Sequence, residues 1–234
     1  MVRKKTLQSM LALMACWLTA GLAQARDIKF DVYALAGGST LVDGMNFTSA
    51  TTLYHTRFAV GLKYNFGVAI PYNKSLSFEA GFDGGPNNFY LLNTQKFPRQ
   101  GVEYPVDTYN AYISGVYHAP FSVKHFTPYG AIGLEYDKFI PTTSAVATAT
   151  NVGWAAVSTA RINGNDKVGF NVGAGLDRKF TKRVSLRIDL RDHFSGSPGF
   201  GLPNSGSPGV VFPATAHAHN MVYTAGIVFH VGKL

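Results

Sequence analysis

Large apolar residues and small or polar residues alternate one for one on both sides of a short polar turn, Thr181-Lys182-Arg183. Before it, Val168, Phe170, Val172, Ala174 and Leu176 alternate with Gly169, Asn171, Gly173, Gly175 and Asp177. After it, Val184, Leu186, Ile188 and Leu190 alternate with Ser185, Arg187, Asp189 and Arg191. A period of two is that of a β-strand with one greasy face, so 167–195 predicts a hairpin. Two architectures share this period. A soluble sandwich or lipocalin-like barrel turns the bulky apolar side inward, whereas a small transmembrane barrel turns it to lipid and encloses the glycines and charges.

The same period recurs along the chain. It predicts further strands at Ile28 to Ala36, Arg57 to Phe66, Ser75 to Asp83, Asp107 to His118 and Phe126 to Asp137, and a last one around Met221 to Phe229. The segments between them alternate in length. Ser39 to Thr56, Gly84 to Val106, Lys138 to Asp166 and Ser195 to about Ala216 are long and mostly polar. The connections through Pro71-Tyr72-Asn73, through Pro120 and Lys124, and through Thr181 to Arg183 are short. An outer membrane barrel has short turns at one end and long loops at the other, so strict alternation follows from its topology. Strands of about nine to eleven residues also suit a tilted span of a bilayer. Aromatics near the strand ends, Phe66, Tyr109, Tyr117, Phe126, Tyr136, Phe180 and Phe194, are the expected interfacial girdles. The expectation is therefore an all-β fold, an antiparallel up-and-down transmembrane β-barrel of eight strands. Ser144 to Ile162 is apolar enough to extend its neighbours or to add a hairpin and make ten.

The N-terminus changes the picture of where the chain resides. Arg3-Lys4-Lys5 is followed by an uncharged stretch from Thr6 to Leu22 and then Ala23-Gln24-Ala25 before Arg26-Asp27. This is the order of a signal peptide, 1–25, leaving 26–234 as one barrel domain. Leu13-Met14-Ala15-Cys16 loosely resembles a lipobox, but Trp17 and the continuing apolar run argue against lipidation. Cys16 is the only cysteine, so no disulfide is expected in the mature chain. The formal charge of +8 falls to +5 when Arg3, Lys4 and Lys5 are removed, and the remaining excess is scattered. Nucleic acid is not an expected partner.

Thr127-Pro128-Tyr129-Gly130-Ala131-Ile132-Gly133-Leu134-Glu135-Tyr136, with Gly169 to Asp177 and the turn into Ser185-Leu186-Arg187, resembles the central strands of the OmpA-like and OmpX-like outer membrane β-barrel superfamily. The resemblance implies a Gram-negative outer membrane location. It also implies outer membrane lipids and the barrel-assembly machinery as partners, a monomer, and an unidentified surface ligand taken through the loops. Such barrels usually finish on a terminal aromatic, whereas here Phe229 is followed by His230-Val231-Gly232-Lys233-Leu234.

Candidate chemistry is sparse. With the polar face inward, Lys29, Asp31, Lys63, Glu79, Asp83, Glu135, Asp137, Asp177, Arg187, Asp189 and Arg191 all point into a lumen wide enough only for side chains. Charges of both signs then form either a plug of interlocked ion pairs or a gated ion pathway. His193 and Ser195 share a strand face as a base and a nucleophile would. Arg191 to Gly196 with Pro203-Asn204 faintly resembles the His-x-Ser-Asn segment of the lipid A deacylase barrels, although Gly196 stands where Asn is expected. No Glu follows Ser195 to orient the histidine, and the parity of His193 places it with the luminal row. His217 and His219 have the same-face spacing of a metal pair but lack nearby cysteines or carboxylates. No catalytic residue, cofactor or metal ligand is therefore assigned. The expected role is structural or recognitional, with a lipid-modifying enzyme and a narrow ion channel as alternatives.

Overall fold

A computed structural model describes residues 29–41, 45–49, 52–58, 60–93, 100–142, 164–196 and 217–232. The expected signal peptide and the apolar stretch 144–162 lie outside the described residues. Ten strands follow in chain order: β1 (Phe30–Leu41), β2 (Met45–Ser49), β3 (Thr52–Phe58), β4 (Gly61–Pro71), β5 (Leu76–Asn93), β6 (Gln100–His118), β7 (Phe126–Pro141), β8 (Asn165–Lys179), β9 (Val184–Gly196) and β10 (His217–Val231). Eight of them, β1 and β4 to β10, form a closed antiparallel ring in which each strand pairs with its neighbours in sequence. The seam is β1 against β10, from Phe30↔Val231 to Leu41↔Asn220. Closure leaves no barrel edge unpaired, the condition for strands to cross hydrocarbon.

The faces divide as a lipid-exposed barrel requires. Ile113 is 62% exposed, Ile132 66% and Leu134 63%, while Lys63, Glu79 and Arg187 are buried. Phe78, Ile188 and Ile227 also lie on the outside. Water enforces the opposite arrangement on a soluble barrel, so this inversion identifies the outer surface as one built for lipid. The lumen is not wholly polar, because Tyr33, Leu35, Tyr112, Val116, Tyr129, Val222 and Val228 are buried in it as well. Of the expected girdle residues, Tyr117, Tyr136 and Phe180 are exposed. Phe66 and Tyr109 stack on either side of Phe82, at 5.5 and 5.8 Å.

The short connections are tight. Asn73 Oδ1 accepts from the backbone N–H of Ser75 and Leu76, both at 2.8 Å. Thr181 Oγ1 accepts from Arg183 and Val184 at 3.1 and 3.0 Å. Lys124 and His125 both have positive φ, 49° and 72°, and the flanking Val123 and Phe126 exchange backbone hydrogen bonds of 2.8 and 3.0 Å. That is the mirror-image turn that matches strand twist, here without the usual Asn-Gly.

At the opposite end two of the long polar segments are not loops. β2 and the first part of β3, within the stretch Ser39 to Thr56, continue the β1–β4 hairpin upward. The register changes by one residue between Ser39↔Gly61 and Met45↔Thr56, as at a bulge. Gly84 to Val106 is largely strand as well, since β5 and β6 stay paired to Asn93↔Gln100. They reach 18 and 19 residues, well beyond the expected length. β3 joins the two arms by pairing with β5 from Tyr54↔Asn93 to Phe58↔Phe89. The two additional strands thus arise in the first connection and stand outside the eight-stranded ring.

Candidate functional site

The polar residues of alternate positions converge inside the barrel, and β9 supplies a ladder of them. From the turn end upward it places Ser185, Arg187, Asp189, Arg191, His193 and Ser195 in the lumen, all buried. The period-two pattern of this strand is the local cause, because it sends every second side chain to the same side. Opposite walls answer each rung.

At the turn end, Arg187 Nε lies 2.9 Å from Asp177 Oδ1 and Nη2 lies 2.9 Å from Asp177 Oδ2, a two-pronged pair. Its Nη1 also donates to Glu79 Oε1. The guanidinium is held between the rings of Tyr33 and Tyr129, at 5.3 and 4.8 Å. Two rungs higher, Arg191 Nη2 lies 3.4 Å from both Glu79 Oε2 and Asp189 Oδ2, with its guanidinium 4.3 Å from the Tyr112 ring centroid. Tyr129 donates to Asp189 at 2.5 Å. Glu79 therefore receives both arginines, and Tyr33, Tyr112 and Tyr129 fill the space between them. Near the turn-end mouth His118 sits 3.2 Å from Asp177, and His230 bridges Asp31 and Ser185 at 2.7 Å each.

Toward the loop end the balance of charge changes. Lys63 faces Asp83 at 3.9 Å and donates to Thr108 Oγ1. His193 Nδ1 lies 2.7 Å from Glu135 Oε2, and its Nε2 lies 3.2 Å from Asp83 Oδ2. Asn110 donates to Asp137 at 2.5 Å and Ser114 donates to Asn171 at 2.9 Å. Glu135 Oε1, Asp137 Oδ2 and both oxygens of Asp83 make no hydrogen bond. Buried carboxylate oxygens in that state are costly.

The inward row named from the sequence is the row observed, from Lys63 to Arg191, while Lys29 is exposed at the mouth. The two signs are not matched, because five of the buried groups are carboxylates (Glu79, Asp83, Glu135, Asp137, Asp189) and three are bases (Lys63, Arg187, Arg191). His193 does have a glutamate against it, but Glu135 precedes it by 58 positions on β7. Glu135 lies upstream of Ser195 rather than downstream, and the β7–β9 proximity is set by closure of the ring, with no local signal. His219 pairs with Asp192 at 3.5 Å and stands edge-on to Phe194 at 4.3 Å. The side chain of His217 lies outside the described residues.

Comparison with known proteins places this geometry. No curated protein sequence matches the chain. Among solved structures, the outer membrane protein OprG from Pseudomonas aeruginosa is similar at 11% identity and a TM-score of 0.52, covering 89% of this chain and 98% of its own. Neisserial surface protein A, NspA, is similar at 13% identity and a TM-score of 0.49, covering 86% and 96%. The N-terminal β-barrel domain of Pseudomonas aeruginosa OprF is similar at 12% identity and a TM-score of 0.43, covering 88% and 98%. The likeness to OprG is one of fold. The model of the outer membrane protein beta-barrel domain family matches residues 9–208, well over half the chain. Inverted faces, a closed ring of eight strands and that match agree, and the chain belongs to the outer membrane protein beta-barrel domain family, with its place in the cell outer membrane.

Proposed function

We propose that this outer membrane barrel has a structural or surface-recognition role, carried by its loop end, and that its lumen is closed to solutes. The observation that supports closure is the middle layer of the ladder. Arg187, Arg191, Tyr33, Tyr112 and Tyr129 are all less than 5% exposed and touch one another or Glu79 from opposite walls. An ion entering there must displace side chains already held by ion pairs and hydrogen bonds. No residue has a catalytic role in such a barrel. His193 and Ser195 are buried on the luminal face, away from the surface on which lipid lies. Outer membrane lipids and the assembly machinery are the partners such a barrel requires, and the barrel acts as a monomer. The experiment is reconstitution of the mature chain in planar bilayers. Closure predicts no steady single-channel conductance, and a reproducible unitary current overturns it. Replacing His193 or Ser195 with alanine is expected to leave lipid A acylation in whole cells unchanged. A loss of deacylation relative to wild type supports the enzymatic reading instead.

A further inference from the structure

Glu135 and Asp137 lie two apart on β7, so both carboxylates enter the lumen from the same face, on successive rungs. Both residues are buried, at 4% and 1% exposure, and each has one oxygen without a hydrogen-bond partner, Glu135 Oε1 and Asp137 Oδ2. Among the described residues no lysine or arginine comes within 4.0 Å of either. Lys63 is used by Asp83 and Thr108, and both arginines by Glu79, Asp177 and Asp189. Lys167, the register partner of Asp137, runs beside Gly196 and forms no ion pair among the described residues. Even with His193 counted as a cation, five buried carboxylates face four positive groups. A buried carboxylate without a matching charge carries a cost.

His193 completes the group from β9. Glu135, Asp137 and His193 each offer one ligand atom, and these atoms lie within 4.8 Å of one another. In a tetrahedral shell of about 2.1 Å the ligand atoms stand about 3.4 Å apart, so closing on an ion brings the widest pair together by up to about 1.4 Å. We infer that Glu135, Asp137 and His193 form a binding site for a divalent transition-metal ion of the zinc or cobalt kind, inside the loop-side half of the lumen. One imidazole nitrogen with carboxylate oxygens is a donor set suited to such ions, and three side chains are too few for calcium, which takes six to eight oxygens. The two nitrogens of His193 divide the work. With Nδ1 toward Glu135 as the ligand, Nε2 faces Asp83 at 3.2 Å, a carboxylate placed to orient the ring from the outer shell. Two added positive charges offset the local excess of carboxylate.

The test refolds the mature full-length chain into detergent micelles with zinc or cobalt(II), removes free metal by gel filtration and measures metal content and the cobalt absorption band. Folding is checked by heat-modifiable gel mobility. The expected result is about one ion per folded chain. Glu135→Gln, Asp137→Asn and His193→Gln are each expected to lower affinity by at least about tenfold, while His125→Gln, on the exposed turn, retains wild-type binding. Folded wild type that holds no metal overturns the inference by itself, whatever the variants do. Equal retention by all three lumen variants overturns it as well, since the ion then sits elsewhere.

Discussion

Tyr33 on β1 and Tyr112 on β6 meet hydroxyl to hydroxyl at 3.0 Å inside the barrel, 79 positions apart in sequence. Tyr112 gives its proton to Asn65 Oδ1 at 2.9 Å, so Tyr33 is the donor to Tyr112 and the bonds run in one direction through the lumen. Three strands are tied by two bonds.

Direction makes the two tyrosines unequal. Tyr33→Phe removes one donor from Tyr112, whereas Tyr112→Phe leaves both the Tyr33 hydroxyl and Asn65 Oδ1 without a partner. Tyr33→Phe is expected to cost about 1 kcal/mol and Tyr112→Phe about 2–3 kcal/mol. Urea unfolding of the barrel in lipid vesicles reads both, and equal losses refute the direction of donation.

Arg187 is the most heavily engaged side chain of the ladder, with Glu79, Asp177 and two rings around it. Arg187→Ala takes the nearest cation from two carboxylates, leaving Glu79 to Arg191 and Asp177 to His118, and is expected to destabilise the barrel by about 3 kcal/mol. Arg187→Ala combined with Glu79→Gln is expected to recover part of that loss, because the buried charge goes with its partner. The double-mutant coupling measured in the same unfolding assay checks this.

Small residues on the luminal face make room for the tyrosines. A Cβ added at Gly81 would fall on the Tyr112 ring and near the Tyr33 hydroxyl, and one at Gly175 would fall on Tyr129 and the Ile188 carbonyl. Gly81→Ala and Gly175→Ala are each expected to cost about 1–3 kcal/mol by overpacking. Gly115, whose Cβ would meet nothing within 4 Å, is the contrasting position. Gly115→Ala is expected to fold with unchanged heat-modifiable mobility.

Orientation toward lipid has its own signature. Leu134→Arg, on the exposed face of β7, is expected to destabilise the folded state in vesicles by about 2–4 kcal/mol. A soluble barrel would tolerate an exposed arginine within about 0.5 kcal/mol, so a neutral result contradicts a lipid-facing surface.

The faces and the ring were legible because they depend on parity alone. Val168 and Gly169, or Leu186 and Arg187, declare opposite sides without knowledge of any partner. The raised end was not legible. Gly84-Gly85-Pro86-Asn87-Asn88 carries the residues that punctuate loops, yet it is paired strand from Gly84↔Tyr109 to Asn88↔Pro105. Pairing with β6 through the whole stretch, flanked by β4 up to Gly84 and by β3 from Phe89, overrides local preference there, with Gly85 fitted against the Leu62 carbonyl. The Glu135–His193 contact was hidden for a related reason. It joins residues on strands that are not adjacent in the ring, so only the curvature of the closed sheet brings them together.

The height of β5 and β6 bears on what an encounter at this surface would involve. A tilted bilayer crossing uses about ten residues, and these strands run to 18 and 19. At about 3.4 Å per residue the remainder amounts to roughly 20 Å of paired backbone on one flank, after allowance for tilt. With β2 and β3 bound to its edge this is a parapet of continuous sheet. A visitor approaching that flank meets a surface whose backbone is already ordered, so little freedom remains to be surrendered on contact.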